Sequence, residues 1–143
     1  MSAIRSICLS ALLATLTACV SHTPTSATPP VSVNGVKGDP IKGKALVMSS
    51  CMTCHGVTKE VDSTKMVGPS LFGVVGRKAG TVKSLLGPSE NLTKYGVTWT
   101  TETLDVFLTN PLAVLAPDTA MAGILKDPQQ RIDVIAYLAT LKN

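Results

Sequence analysis

Cys51-Met52-Thr53-Cys54-His55 is the stretch on which the reading of this 143-residue chain turns. Two thiols three residues apart, with histidine directly after the second, form the attachment signature of a c-type haem. Each thiol adds across one vinyl group of the porphyrin, and two intervening residues let both reach the same edge of the macrocycle. The next residue is then held under the iron, where an imidazole nitrogen serves as an axial ligand. Two other readings of C-x-x-C compete. A dithiol redox motif usually opens a helix after a strand in a βαβ pattern, and no such pattern surrounds this one. A zinc site needs about four ligands. Outside the leader, the other candidate cysteine and histidine ligands are Cys19 and His22, far upstream, and Cys54 and His55 are sequence neighbours, awkward for one tetrahedral ion.

Upstream, residues 1–18 read as a bacterial export signal, with Arg5 in a short n-region and Ile7 to Leu16 as the apolar region. That run is too short for a default membrane-spanning helix. It ends in Leu16-Thr17-Ala18-Cys19, which resembles a lipobox, where cleavage precedes the cysteine and the cysteine receives lipid. A plain A-x-A-type cleavage at Thr17-Ala18 is the alternative. The cysteine count favours the lipobox: Cys8 leaves with the signal, Cys19 takes lipid, and Cys51 and Cys54 take haem, so none of the four stays free in an oxidising compartment. The expected location is therefore a membrane-anchored lipoprotein facing the periplasm. Val20 follows the lipidated cysteine where aspartate commonly means retention, which points to outer-membrane sorting in a cell with two membranes.

Residues 19–38 are expected to form a flexible, lipid-anchored linker. From Val20 to about Val33 the composition is Ser, Thr, Pro and Ala, with almost nothing to bury. His22 reads as a solvated linker histidine. The net charge of +4, or +3 once Arg5 leaves with the signal, is too mild to indicate a nucleic-acid partner.

The folded domain is expected over 39–143. Asp39-Pro40 is a strong helix start, with Asp as N-cap and Pro at the first helical position. Ile41, Ala45, Leu46 and Met48 then give a partial apolar face leading into the cysteine motif. A second helix is predicted from about Thr100 to Thr109, with Leu104, Phe107 and Leu108 on one side and Asn110-Pro111 ending it. A third starts at Asp127-Pro128-Gln129-Gln130 and carries Ile132, Ile135, Leu138 and Leu141 to the C-terminus. No useful strand alternation appears, so the expected class is all-α with long loops. About 104 residues follow Asp39, a size at which a domain is only modestly stable, and long loops need something to fill the middle. A covalent porphyrin would fill it.

Further segments share a pattern. Gly43-Lys44 opens the first helix. Gly68-Pro69-Ser70-Leu71-Phe72-Gly73 and Gly76-Arg77-Lys78-Ala79-Gly80 follow the cysteine motif. Gly96-Val97-Thr98-Trp99, Leu108-Thr109-Asn110-Pro111, Pro117-Asp118-Thr119-Ala120-Met121 and Arg131 to Leu138 come after them in order. From Lys42 to Leu141 the chain resembles the small class I c-type cytochromes of the mitochondrial and bacterial c2 kind. The resemblance implies their fold, with three or more helices and long loops around one covalent haem c. It also implies His55 and Met121 as the two axial ligands and the Pro69 carbonyl as the acceptor for the His55 ring. Arg77 and the Trp99 indole are implied as propionate partners, with Thr119 beside that pocket and Gly43 and Tyr137 in the contact between first and last helices. The plainer readings are a surface arginine, core aromatics, a turn threonine and, for Met121, a core methionine. Met48 and Met52 adjoin the motif and Met66 precedes Pro69, so each reads as packing or surface.

The chain departs from that family in places. Pro88 stands near a tyrosine that often holds a propionate, and Tyr95 is a candidate replacement. Phe107 stands where tyrosine is common near the distal methionine, and Val47 where an aromatic is usual. The stretch Leu112 to Leu125 carries only the charge of Asp118. The resemblance implies a one-electron carrier with no bond chemistry, exchanging electrons with redox proteins such as a membrane quinol-oxidising complex and a terminal oxidase or reductase. Two alternatives stay open: a haem enzyme or binder of a small molecule such as peroxide, and a fixed cytochrome subunit of a respiratory complex. Six-coordinate His/Met iron has no open position, which disfavours the enzyme.

Overall fold

The computed structural model describes residues 30–116, 119, 121, 123 and 125–142. The expected export signal, Cys19 and His22 lie outside the described residues. Asp39 starts the first helix by local chemistry: its carboxylate accepts the N–H groups of Ile41 at 2.9 Å and Lys42 at 3.3 Å. Pro40 follows it, where a missing N–H costs nothing. Helix α1 spans Pro40–Ser50 and ends at Cys51. The last helix is built in the same way. Asp127 accepts from Gln129 and Gln130, and the helix runs over Pro128–Leu138, stopping short of the expected Leu141.

These two helices cross at Gly43. A Cβ there would overlap the carbonyl of Asp133, so only glycine lets the two backbones approach so closely. Tyr137, one turn further along the last helix, is half-buried against the core. The crossing decides which side of α1 is inside. Gly43 and Val47 are buried, whereas Ile41 is 78% exposed and Met48 49% exposed. Of the expected apolar face of Ile41, Ala45, Leu46 and Met48, Leu46 packs against the core and the other three point to water, because backbone proximity at Gly43 outweighs the side-chain pattern. Gly43→Ala is expected to cost at least the roughly 1–3 kcal/mol of core overpacking, read as a lowered denaturant midpoint.

The boundary expected at Asp39 falls too late. Ser32–Val33 (β1) and Val36–Lys37 (β2) form an antiparallel hairpin. Its turn, Asn34-Gly35, has φ of 50° and 80°, the geometry that Asn-Gly favours in two-residue hairpins. Val33 is 2% exposed. Gly38 passes against Ile132 and Ala136, and Gln129 donates to the Lys37 carbonyl at 2.9 Å. Residues 31–38 therefore belong to the folded unit and not to a linker. A two-residue strand is too short for an alternation signal, and its composition blends into the Ser/Thr/Pro stretch before it.

Among the described residues, a 3-10 turn at Ser63–Lys65 and three shorter α-helices lie between α1 and the last helix. Helix α2 covers Glu90–Tyr95, capped by Ser89 and closed by left-handed Gly96. Helix α3 covers Thr101–Thr109, with Thr100 and Thr103 forming a reciprocal capping box. Helix α4 is a single turn, Leu112–Leu115, after Pro111. The Pro128–Leu138 helix is α5. Val47, Leu104, Phe107, Ile132, Ile135 and Leu138 make the core where α1, α3 and α5 meet. Arg131 is buried among them. Its Nε donates to Asp105 at 2.9 Å, and Nη1 donates to the carbonyls of Leu125 at 3.1 Å and Lys126 at 2.9 Å.

Candidate haem site

The cysteine motif continues α1 by one tight turn. The Cys51 N–H donates to Val47, and the N–H groups of Cys54 and His55 both donate to the Cys51 carbonyl, at 3.1 and 3.0 Å. Both thiols are free and half-buried. Burial, and then the neighbouring Cys54, push the Cys51 thiol up, so it stays protonated near neutral pH.

His55 is held from two sides. Its Nδ1 lies 2.7 Å from the Pro69 carbonyl, which can only accept, so Nδ1 carries the proton and Nε2 keeps its lone pair. Burial pushes the imidazole below its ordinary range, outweighing the opposing bond to Pro69, so the ring is neutral at pH 7. Gly68 lies against the ring, and a Cβ there would overlap it. The Gly68 N–H donates to the Cys54 carbonyl at 2.8 Å, tying the brace back to the motif. A neutral, clamped imidazole with a free Nε2 and two nearby thiols fits a covalently attached iron porphyrin. For zinc the set is thin: among the described residues no group of three or more His, Cys, Asp or Glu gathers.

The other expected residues fall as follows. Arg77 and Trp99 line one cavity together with Pro69, Lys78, Gly80, Thr81, Val82 and Leu92. Arg77 donates to the carbonyls of Phe72 and Ser70, which spends two of its five N–H groups on the segment after Pro69. Burial pushes the Arg77 guanidinium down from its ordinary value. Trp99 is buried, with ring centroids 4.9 Å from Phe107 and 5.9 Å from Tyr95. Tyr95 therefore sits beside Trp99, close to the cavity wall. Thr119 and Met121 are half-buried, and the Thr119 hydroxyl accepts the Met121 N–H at 2.9 Å. Pro117, Asp118, Ala120 and Ile124 lie outside the described residues.

Two contributors were missed from the residues alone. Asn91 donates to the carbonyls of Leu115 and Ala116, both at 3.4 Å, just before the Met121 segment. Arg131 grips the carbonyls just after it. A cation in the first turn of a helix, where acids are favoured, was the one available signal for Arg131.

A mostly helical domain whose first helix delivers two thiols and a braced imidazole defines a class I c-type cytochrome. The chain belongs to the cytochrome c family, whose model matches residues 41–142. It is similar to cytochrome c2 of Rhodopila globiformis, 41% identical over 106 residues, covering 73% of this chain and 95% of that protein. Cytochrome c2 of Rhodopseudomonas palustris is 42% identical over 119 residues, covering 73% and 99%. Cytochrome c of Trypanosoma brucei brucei is 52% identical over 79 residues, covering 54% and 82%. Membership brings the all-α class I fold, one covalent haem c and a role in electron transport.

Proposed function

We propose that this chain is a membrane-tethered one-electron carrier, with Cys51 and Cys54 holding the porphyrin and His55 and Met121 holding its iron. The observation that carries this reading is the clamped, neutral His55 ring, whose only uncommitted nitrogen is Nε2. When bound, haem supplies a ferric–ferrous couple that takes and returns one electron. The chain supplies the rest. Pro69 and Gly68 fix the ring, and Met121 offers a thioether, which favours ferrous iron relative to a second imidazole. Arg77 and Trp99 supply donors for propionate oxygens, with Thr119 beside them. His55 and Met121 would both be ligands of the iron, which supports a carrier over a haem enzyme.

The anchor, the periplasmic location and the partners belong to the same reading. The attachment is assigned to lipid on Cys19, on the strength of the lipobox-like Leu16-Thr17-Ala18-Cys19. The tether then comprises residues 19–30, since the hairpin takes the rest of the expected linker. Anchoring holds the haem near a membrane quinol oxidiser and a terminal oxidase or reductase at an effective concentration that reaches about millimolar.

The test is a redox titration with exogenous ligands. The holoprotein is expected to take up one electron per chain and to leave carbon monoxide and cyanide largely unbound. Ready binding of either would favour the enzyme or ligand-binding alternative. Cys19→Ala is expected to move the protein from the membrane fraction to the soluble fraction. Unchanged membrane association would remove the lipid anchor from the proposal.

A further inference from the structure

The Met121 segment is held at its two ends by side chains from distant parts of the chain, and the two holds are unequal. At its start, Nδ2 of Asn91 donates to the carbonyls of Leu115 and Ala116, both at 3.4 Å. The last carbonyls of a helix have no partner inside it, and at the single turn of α4 Asn91 supplies one from outside. At the other end, Arg131 donates to the carbonyls of Leu125 and Lys126 at 3.1 and 2.9 Å. Arg131 is a buried cation paired with Asp105, and hydrogen bonds to an ionised group are roughly twice as strong as neutral ones. Asn91 is neutral and half-buried, and its two bonds lie at the long end of N–H···O contacts. Its own footing is firm. Helix α2 is capped by Ser89, closed by left-handed Gly96 and packed through Thr93 against Gly80. Leu92, the next residue, lines the cavity of Arg77 and Trp99. Asn91 therefore ties that cavity wall to the chain just before Met121.

We infer that Asn91 is a positioning residue for Met121: a latch whose release frees the segment at its Leu115–Ala116 end, while Arg131 keeps the other end fixed as the hinge. This rests on the proposed role of Met121 as an iron ligand. Met121 is only half-buried, so its place depends on the backbone that carries it, and the Thr119 bond to its N–H is local to the segment itself. That bond moves with the segment. The hold at the start comes from Asn91, and it is the weaker of the two. Asn91 thereby sets how often a small ligand can take the place of Met121, and so how strictly the chain stays an electron carrier.

The experiment uses full-chain holoprotein in the ferric state, with Asn91→Leu, which keeps the size and removes the donors, and Asn91→Gln, which keeps an amide. One readout is the rate of cyanide binding at saturating cyanide, where departure of Met121 sets the pace. The other is amide hydrogen exchange. Asn91→Leu is expected to raise the cyanide rate about fivefold, the order of one net hydrogen bond. It is also expected to speed exchange at the N–H groups of Leu115 and Ala116, which donate to Pro111 and Leu112, and to leave that of Arg131, which donates to Asp127, unchanged. Asn91→Gln is expected to restore most of both effects. Val33→Ala, which opens a cavity under the hairpin, is the control for general loosening: a lower denaturant midpoint with an unchanged cyanide rate. Parent-like cyanide rate and exchange in Asn91→Leu would overturn the inference. So would an equal rise in rate in Val33→Ala, or exchange at Arg131 speeding as much as at Leu115. The ligand reading is scored separately, by the sulfur-to-iron absorption of Met121→Ala, while exchange at Leu115 and Ala116 scores the latch whichever residue binds iron.

Discussion

Met121→Ala is expected to erase the weak sulfur-to-iron absorption of the oxidised protein and to open the iron to cyanide and carbon monoxide. It is also expected to lower the reduction potential by something on the order of 0.1 V, within the roughly 0.8 V over which axial ligands set haem potentials. The direction follows from the thioether, which stabilises ferrous iron more than water or a nitrogen ligand does. Met121 is half-buried against the core, and the Thr119 hydroxyl fixes its backbone N–H at 2.9 Å. Met66 is the control. It stands two residues before Gly68, the glycine that packs on the His55 ring, and its carbonyl is engaged by Leu85. That places it on the side of His55, not opposite it. Met66→Ala is expected to leave spectrum, potential and ligand reactivity unchanged. If Met66→Ala and not Met121→Ala removed the absorption, the ligand role would pass to Met66.

Arg131→Met is expected to cost about 3–5 kcal/mol, a large share of the roughly 5–15 kcal/mol that stabilises a small domain. The side chains of Arg131 and Asp105 are 9% and 14% exposed, so removing the guanidinium strands a carboxylate in the interior. It also strips the donor from the Leu125 and Lys126 carbonyls. A denaturant midpoint on holoprotein measures the loss. Combining Arg131→Met with Asp105→Leu is expected to recover most of it, because a buried pair replaced on both sides by apolar groups is nearly neutral. If the double variant were as unstable as Arg131→Met alone, the two carbonyls and not the ion pair would carry the cost. The position is specific to this fold, since the pair links α3 to α5 beside the end of the Met121 segment.

What was legible in the residues was chemistry that acts over three or four positions. The Cys51-to-His55 spacing, the Asp39-Pro40 and Asp127-Pro128 helix starts and the Thr100 start of α3 each depend on neighbours along the chain, and each forms where it was expected. Asn34-Gly35 was just as local, but the hairpin it closes is held by Val33 buried beneath α3 and α5 and by the Gln129 bond to the Lys37 carbonyl, contacts that no short window contains. The same limit applies to α1. Its residues offer apolar side chains on both faces, and the choice between them is made by Gly43 pressed on the backbone of Asp133, 90 residues away. The bond between the Pro69 carbonyl and His55 was expected only by resemblance; the Gly68 brace and the Asp105–Arg131 pair were not foreseen. All three join groups brought together by packing, and their strength comes from the burial that packing creates. Local spacing marked Cys51 to His55 as the place where a haem would attach, and tertiary packing decided how rigidly His55 is held, because a single hydrogen bond to an exposed ring would leave it free to turn.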